Sequence, residues 1–309
     1  MSQSKQAILR KYGISVQQRV SSGMEAEVYA LPDGTVLKLY DGTANLASLA
    51  VLQQFYASLQ GYAVGYALPY ILSAAQEGDV CITIERHLPG VPMASIMAGL
   101  ASAEMERLMQ TYLSAVLVLQ SIPMPPEARQ YKLFDEHGLS LRNQGDWHDF
   151  LAHWLSQKTA AIAPYFQRDV SDFAVKLVQL IDLLAQPYTG VHCLVHGDFF
   201  PGNLLVNPRR EVTALLDFGL FTLWGDPLFD VATAWVFFDM YDDLKASLRR
   251  RLLEVILSRL GEETRGVLYR YVLIYSLLSA NTYAPDCSDG HYRWCAANLN
   301  HQPYWDAMA

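Results

Sequence analysis

The rhythm of hydrophobic and polar positions changes near residue 88. Before it, short runs rich in β-branched and aromatic residues stand at Ile14 to Val20, Glu27 to Leu31, Val36 to Tyr40, Tyr70 to Ala74 and Val80 to Arg86. Gly23, Pro32-Asp33-Gly34, Pro69 and Gly78-Asp79 separate them, a pattern that predicts strands joined by turns. One stretch differs. Between Thr43 and Gln60, residues Leu46, Leu49, Leu52, Phe55, Tyr56 and Leu59 form a single apolar stripe of helical spacing.

After Leu88-Pro89-Gly90 the pattern becomes that of long amphipathic helices. Ser102 can cap a helix whose apolar positions are Met105, Leu108, Met109, Tyr112, Leu113, Val116 and Leu117, with Glu104 in its first turn. Further helical segments are predicted at Asp146 to Ile162, Ser171 to Ala185 and about Asp226 to Tyr283, and Arg129 to Gly145 reads as a long polar connection. Between the helices, Leu204 to Val206 and Val212 to Leu216 flank Asn207-Pro208 as a small hairpin. The expected class is therefore α+β, with a β-rich N-terminal lobe at 1–88 and a helical C-terminal lobe at 89–309.

Composition fits a packed protein: 51% of the 309 residues are hydrophobic and 17% charged. The 23 basic and 31 acidic side chains give a net charge of -8, which argues against nucleic acid or an anionic membrane as the main partner. No apolar run approaches the roughly 18 residues of a membrane span, and the N-terminus has no apolar signal core, so a cytoplasmic protein is expected. The pattern leaves the oligomeric state open. Cys81 and Cys193 lie in apolar runs and read as packing residues. Cys287, His291 and Cys295 stand four apart, which on one helix would align three zinc-competent side chains, but a fourth ligand and a close Cys pair are missing.

The chemistry concentrates in His196-Gly197-Asp198-Phe-Phe-Pro-Gly-Asn203, followed by Asp217-Phe218-Gly219. Phosphoryl transfer needs these groups. Asp198 can take the proton of an attacking hydroxyl, while Asn203 and Asp217 offer hard oxygen ligands to Mg²⁺. Protein kinases order the same roles as H-R-D-x-x-x-x-N and then D-F-G. Here the Asp-to-Asn spacing is the same and Gly197 stands in place of Arg. A lone Asp and Asn five apart would read as turn residues bonding their own backbone; the whole set does not. Lys38 stands within the apolar run Val36 to Tyr40. On its own it reads as an edge-strand lysine turned to solvent; beside the downstream motif it reads as a phosphate ligand.

The runs Leu194 to Val206, Leu215 to Gly219 and Gly225-Asp-Pro-Leu-Phe-Asp-Val-Ala232 resemble the aminoglycoside phosphotransferase and choline kinase superfamily, small-molecule kinases with a bilobal protein-kinase-like fold. Ile82 to Gly90 is similar to that family's inter-lobe segment, and the likeness extends over about residues 15 to 240. The resemblance implies ATP, or GTP, and Mg²⁺ as cofactors. It implies that Asp198 is the catalytic base, that Asn203 and Asp217 hold the metal, and that Lys38 meets the nucleotide phosphates under the Ser22-Gly23 turn. The backbone of Glu85 to Leu88, His87 included, would meet the purine. Asp230 would bond the backbone of the catalytic loop and His196 would orient it. Two departures stand out. No acid occurs between Asp41 and Glu77, and Ser48 falls where the family's helix usually offers Glu to the lysine; Glu25, Glu27, Asp217 or the nucleotide remain as partners for Lys38. The stretch from Asp217 to Asp226 is also one residue longer than the family's common spacing and lacks its usual polar residues.

The acceptor would be a hydroxyl on a small molecule. Residues 1–90 carry seven acids and six bases, and 91–309 carry twenty-four and seventeen, so nearly all the negative charge lies in the helical part. That suits a cationic amino-sugar, with Asp239, Asp242, Asp243, Asp286 and Asp289 as candidate contacts, or is a plain solvated surface. Phe199, Phe200, Phe221, Trp224, Trp235 and Tyr241 would either cage a quaternary amine or form core. Choline, amino-alcohol and sugar acceptors stay open, as does a nucleotide-binding regulatory module that has lost catalysis.

Overall fold

The computed structural model describes residues 3–22, 26–40, 44–126, 128, 130–132, 145–219, 221–238, 240 and 245–308. The chain begins with α1 (Gln3–Lys11), β1 (Arg19–Ser22), β2 (Ala26–Ala30), β3 (Thr35–Tyr40), α2 (Leu46–Leu59), β4 (Ile71–Glu77), β5 (Val80–Arg86), β6 (Val91–Pro92) and α3 (Ala94–Met97). Next come α4 (Ser102–Leu117), α5 (Trp147–Asp169), α6 (Phe173–Leu184), β7 (Cys193–Val195), β8 (Leu204–Val206), β9 (Val212–Leu215) and β10 (Leu223–Gly225). It ends with α7 (Pro227–Phe237), α8 (Lys245–Leu260), α9 (Arg265–Ser279), α10 (Gly290–Leu299) and α11 (Gln302–Asp306). The class is α+β. Two compact units form, Met1–Ile96 with Gly202–Asp217, and Met97–Pro201 with Phe218–Ala309. No described helix is long and apolar enough to cross a membrane.

The first unit is built on an antiparallel sheet of order β1-β2-β3-β5-β4. Alternate residues of β3 and β5 point to opposite faces. Leu37, Leu39, Val80 and Ile82 pack with Tyr29, Ile14 and with Ile8 and Leu9 of α1. Tyr40 and Cys81 pack on the other face with Ala26 and with Leu49 of α2. Both faces of β3 are thus covered, which explains its nearly unbroken apolar run. Lys38 is consequently on a central strand, and the edge-strand reading is corrected. The strand expected at Ile14 to Val20 is also corrected: Val16–Gln18 is a 3₁₀ turn and the extended segment is Arg19–Ser22. Helix α1 has no counterpart in the sequence-based expectation, because its apolar face spans little more than one turn and the rest is polar.

A second small sheet, β6-β8-β9, completes the first unit. Thr213 Oγ1 donates to the Pro89 carbonyl. At Gly90 (φ 124°) a Cβ would lie 2.5 Å from Thr213 Oγ1 and 2.9 Å from the Val206 carbonyl, so the Pro-Gly of the inter-lobe motif is a packing requirement.

The second unit is helical apart from β7 and β10, which pair antiparallel with Val195 opposite Leu223. Strand β10 takes up Leu223 and Trp224 of the apolar stretch between Asp217 and Asp226, and both are buried. The core is aromatic, with Tyr112, Trp147, Phe150, Trp154, Phe166, Phe199, Phe229 and Tyr271 all fully buried. Trp147 Nε1 donates to Tyr271 Oη at 3.1 Å, and Tyr271 Oη donates to Asp226 at 2.7 Å. The helical region expected from Asp226 to Tyr283 resolves into α7, α8 and α9. Ala101, not Ser102, is the N-cap of α4, and Glu104 accepts the Ala101 N–H at 3.1 Å.

Candidate functional site

In the second unit the motif His196-Gly197-Asp198 follows β7 directly. The backbone N–H groups of His196 and Gly197 donate to the two carboxylate oxygens of Asp230, at 2.6 and 2.8 Å. Asp230 stands in the first turn of α7, where the helix dipole favours negative charge. Burial pushes its carboxyl up to about 7, against the two N–H groups that favour the anion. Gly197 has φ 78°, and a Cβ there would lie 1.9 Å from the Phe221 carbonyl oxygen. Glycine is what fits here, and this is why Arg is absent from the motif.

His196 is fully buried, and its Nδ1 accepts the Asp198 N–H at 3.2 Å, so the ring acts on the loop backbone. Phe218 packs on it with ring centroids 4.5 Å apart. Thr222 Oγ1 donates to the His196 carbonyl at 3.1 Å and accepts the Gly219 N–H at 2.9 Å. Tyr112, on α4, donates its phenol to the Phe199 and Ala234 carbonyls at 2.6 and 3.1 Å. Sequence reasoning treated Tyr112 as core only; the signal was a tyrosine on a buried stripe, whose hydroxyl must find a partner. Asp198 itself is half-buried.

In the first unit, Asn203 and Asp217 stand at one end of the β8–β9 hairpin, joined by the Leu216 N–H to Asn203 carbonyl bond of 2.8 Å. The hairpin is anchored from β6, where the Met93 N–H reaches the Leu204 carbonyl at 2.8 Å. Asn203 is buried, whereas the Asp217 side chain is 60% exposed and its backbone is left-handed, with φ 51°. Lys38 Nζ lies 3.3 Å from Asp217 Oδ1 and 3.3 Å from Glu85 Oε2. Burial would lower the Lys38 ammonium, but Asp217 and then Glu85 outweigh it and hold the group well above its ordinary value. A carboxamide and an open carboxylate are a donor set that fits Mg²⁺, which takes few protein oxygens and completes its shell from water and phosphate. Among the described residues no cluster of three His, Cys, Asp or Glu offers an all-protein metal cage.

The remaining candidates fall as follows. Ser22 is the last residue of β1, opposite Glu27, and Gly23 and Glu25 lie outside the described residues. Glu27 is engaged by Lys5 and by Tyr29. Ser48 is bonded to Asn45 at the start of α2. Glu85 stands opposite Val36 and Ile71 in the sheet, and His87 is exposed just past the end of β5. Phe199, Phe221, Trp224 and Trp235 are buried, which corrects the cage reading for these four; Phe200 is half-buried and Tyr241 lies outside the described residues. Asp289 caps α10 and Asp286 bonds Ser288, while Asp239, Asp242 and Asp243 lie outside the described residues. The zinc alignment is corrected too. Cys287 precedes α10, at φ 56°, and His291 and Cys295 share Ser279 as a partner, at 2.9 and 3.7 Å.

Comparison with known proteins gives the family and the fold. The model of the phosphotransferase enzyme family matches residues 16–267. The ADP-bound aminoglycoside phosphotransferase APH(2'')-Ib is similar at a TM-score of 0.61 and 15% identity, over 99% of both chains. The aminoglycoside phosphotransferase APH(3'')-Id from Streptomyces rimosus gives 0.58 and 18%, over 90% of this chain and 99% of the other. A putative fructosamine-3-kinase from Haemophilus somnus gives 0.58 and 14%, over 96% and 95%. These likenesses show a shared protein-kinase-like fold. No curated protein matches in sequence.

Proposed function

Because the chain belongs to the phosphotransferase enzyme family, we propose that it moves the γ-phosphoryl group of ATP, or of GTP, to a hydroxyl of a small amino-sugar. The observation that carries this reading is the meeting of Lys38 and Asp217, 179 residues apart in the chain, at 3.3 Å. It joins a cation suited to nucleotide phosphates with a carboxylate suited to their metal.

Asp198 accepts the proton of the attacking hydroxyl and aims its oxygen at the phosphorus. His196 and Asp230 hold the loop that carries Asp198, by way of backbone N–H groups. Lys38 binds the phosphates and Asn203 and Asp217 hold magnesium, which when bound neutralises charge on the transferring group. Ser22, Gly23 and the backbone from Glu85 through His87 are the remaining nucleotide contacts of this proposal. Support for a cationic acceptor comes from the excess of acid in residues 91–309. The burial of Phe199, Phe221, Trp224 and Trp235 removes the argument for a quaternary amine at those rings.

A panel of amino-sugars, amino-alcohols and sugars, assayed for acceptor-stimulated ADP or GDP release, tests the proposal. Stimulation by amino-sugars is the expected result. Stimulation by choline alone would move the acceptor class. Nucleotide binding without any turnover would make the chain a regulatory module instead.

A further inference from the structure

Lys38 requires a counter-ion that stays with it when a metal claims Asp217. Helix α2 cannot supply one, since it carries no acid from Leu46 to Leu59. Glu27 is held by Lys5 at 2.7 Å and by the Tyr29 phenol. Glu85 is differently placed. Its side chain is 5% exposed, with Oε2 3.3 Å from Lys38 Nζ and Oε1 accepting from Thr83 Oγ1 at 2.6 Å and Tyr40 Oη at 3.5 Å. Lys38 and Thr83 are direct cross-strand partners, and Tyr40 and Glu85 are each two residues further along, so all four share one face of the β3–β5 pair.

We infer that Glu85 is the standing counter-ion of Lys38, a positioning residue on the sheet itself that fills the place of the absent helix glutamate. The inference rests on the proposed role of Lys38 as a nucleotide-phosphate ligand. The two carboxylates divide the work by exposure. Asp217 can turn from Lys38 to a metal because its side chain is largely in solvent. Glu85 cannot leave without stranding a buried charge, and its bonds to Thr83 and Tyr40 fix which oxygen faces the lysine. Without Glu85, the lysine has Asp217 as its carboxylate partner and competes with magnesium for it.

The test compares Glu85→Gln, Thr83→Val and Lys38→Met with the parent by calorimetric titration of ATP and GTP at several magnesium concentrations, alongside thermal unfolding and steady-state kinetics. Glu85→Gln is expected to weaken Mg-nucleotide binding by about 10- to 100-fold. It should also raise the magnesium concentration needed for half-saturation and raise KM for the nucleotide, while KM for the acceptor stays put. Thr83→Val should shift the same quantities less, and decides the matter if Glu85→Gln does not fold. A lower Tm with unchanged nucleotide affinity in both variants would reduce Glu85 to a structural residue and overturn the inference. If Lys38→Met weakens binding and the other two do not, the inference fails while the function stands; if the parent binds no Mg-nucleotide, the function itself fails.

Discussion

Gly197 packs its α-carbon so tightly under the Phe221 carbonyl that a methyl group would sit 1.9 Å from that oxygen. The contact fixes how the loop that carries Asp198 leaves β7, and φ 78° adds a second reason for glycine. Gly197→Ala is expected to cost about 1–3 kcal/mol or more, through backbone strain and displacement of Phe221. Thermal unfolding should show a Tm several degrees lower; an unchanged Tm would mean that the loop rearranges freely.

Asp198→Ala removes the proposed acceptor of the hydroxyl proton. Turnover is expected to fall by about 10² to 10⁴, the usual contribution of a positioned general base. Mg-nucleotide affinity should stay near that of the parent, because Asp198 is not among the proposed nucleotide ligands. Near-normal kcat would refute the assignment.

Asp217→Ala takes away a proposed metal ligand and leaves Lys38 with Glu85. The expected outcome is weaker binding of Mg-nucleotide, with metal-free nucleotide binding much less affected. Titrations with and without magnesium separate the two, and an equal loss in both would argue against a metal role.

The Asp230 carboxyl, pushed up to about 7 by burial, gives stability a pH dependence of defined sign. In the unfolded chain this group loses its proton near pH 4, whereas the folded protein keeps it until about pH 7. Across that window the folded state binds more protons, so this group's contribution to stability falls as pH rises, with a slope of up to about 1.4 kcal/mol per pH unit. Urea unfolding at the two ends of the window should show the decline, and Asp230→Asn should flatten it. A parent whose stability rises with pH by the same increment as Asp230→Asn would contradict this.

Much of this was legible in the sequence, for reasons that differ by element. The strands β2, β3 and β5 and helices α2, α4 and α6 announce themselves because each is a short β-branched and aromatic run or a single helical apolar stripe with a clear stop. Asn203 and Asp217 were readable because fixed spacing and turn residues place them at one end of a hairpin. Helix α1 was not readable, since Ile8 and Leu9 gain meaning only against Tyr29 and Leu37. The pairing of Glu85 with Lys38 was also hidden. Its residues lie 47 apart in the chain, and the shared face appears only once the β3–β5 register is known. The aromatics left two readings open, because ring composition alone does not separate a ligand cage from core, and burial decides for core at Phe199, Phe221, Trp224 and Trp235.

The register of β5 against β3 has a consequence for folding fidelity. A slip of one residue would carry Glu85 and Thr83 to the α1 face and bring Ile82 and Ile84 to the lysine. The misplaced isoleucines would forfeit their packing with Leu37 and Leu39, so the slipped sheet is rejected on hydrophobic grounds before any charge is consulted. The greasy underside of the sheet thus proof-reads the position of a carboxylate on its other side. Substitutions at Ile82 or Leu39 that loosen that packing would then surface as nucleotide-binding defects in a protein whose Lys38 and Glu85 are both intact.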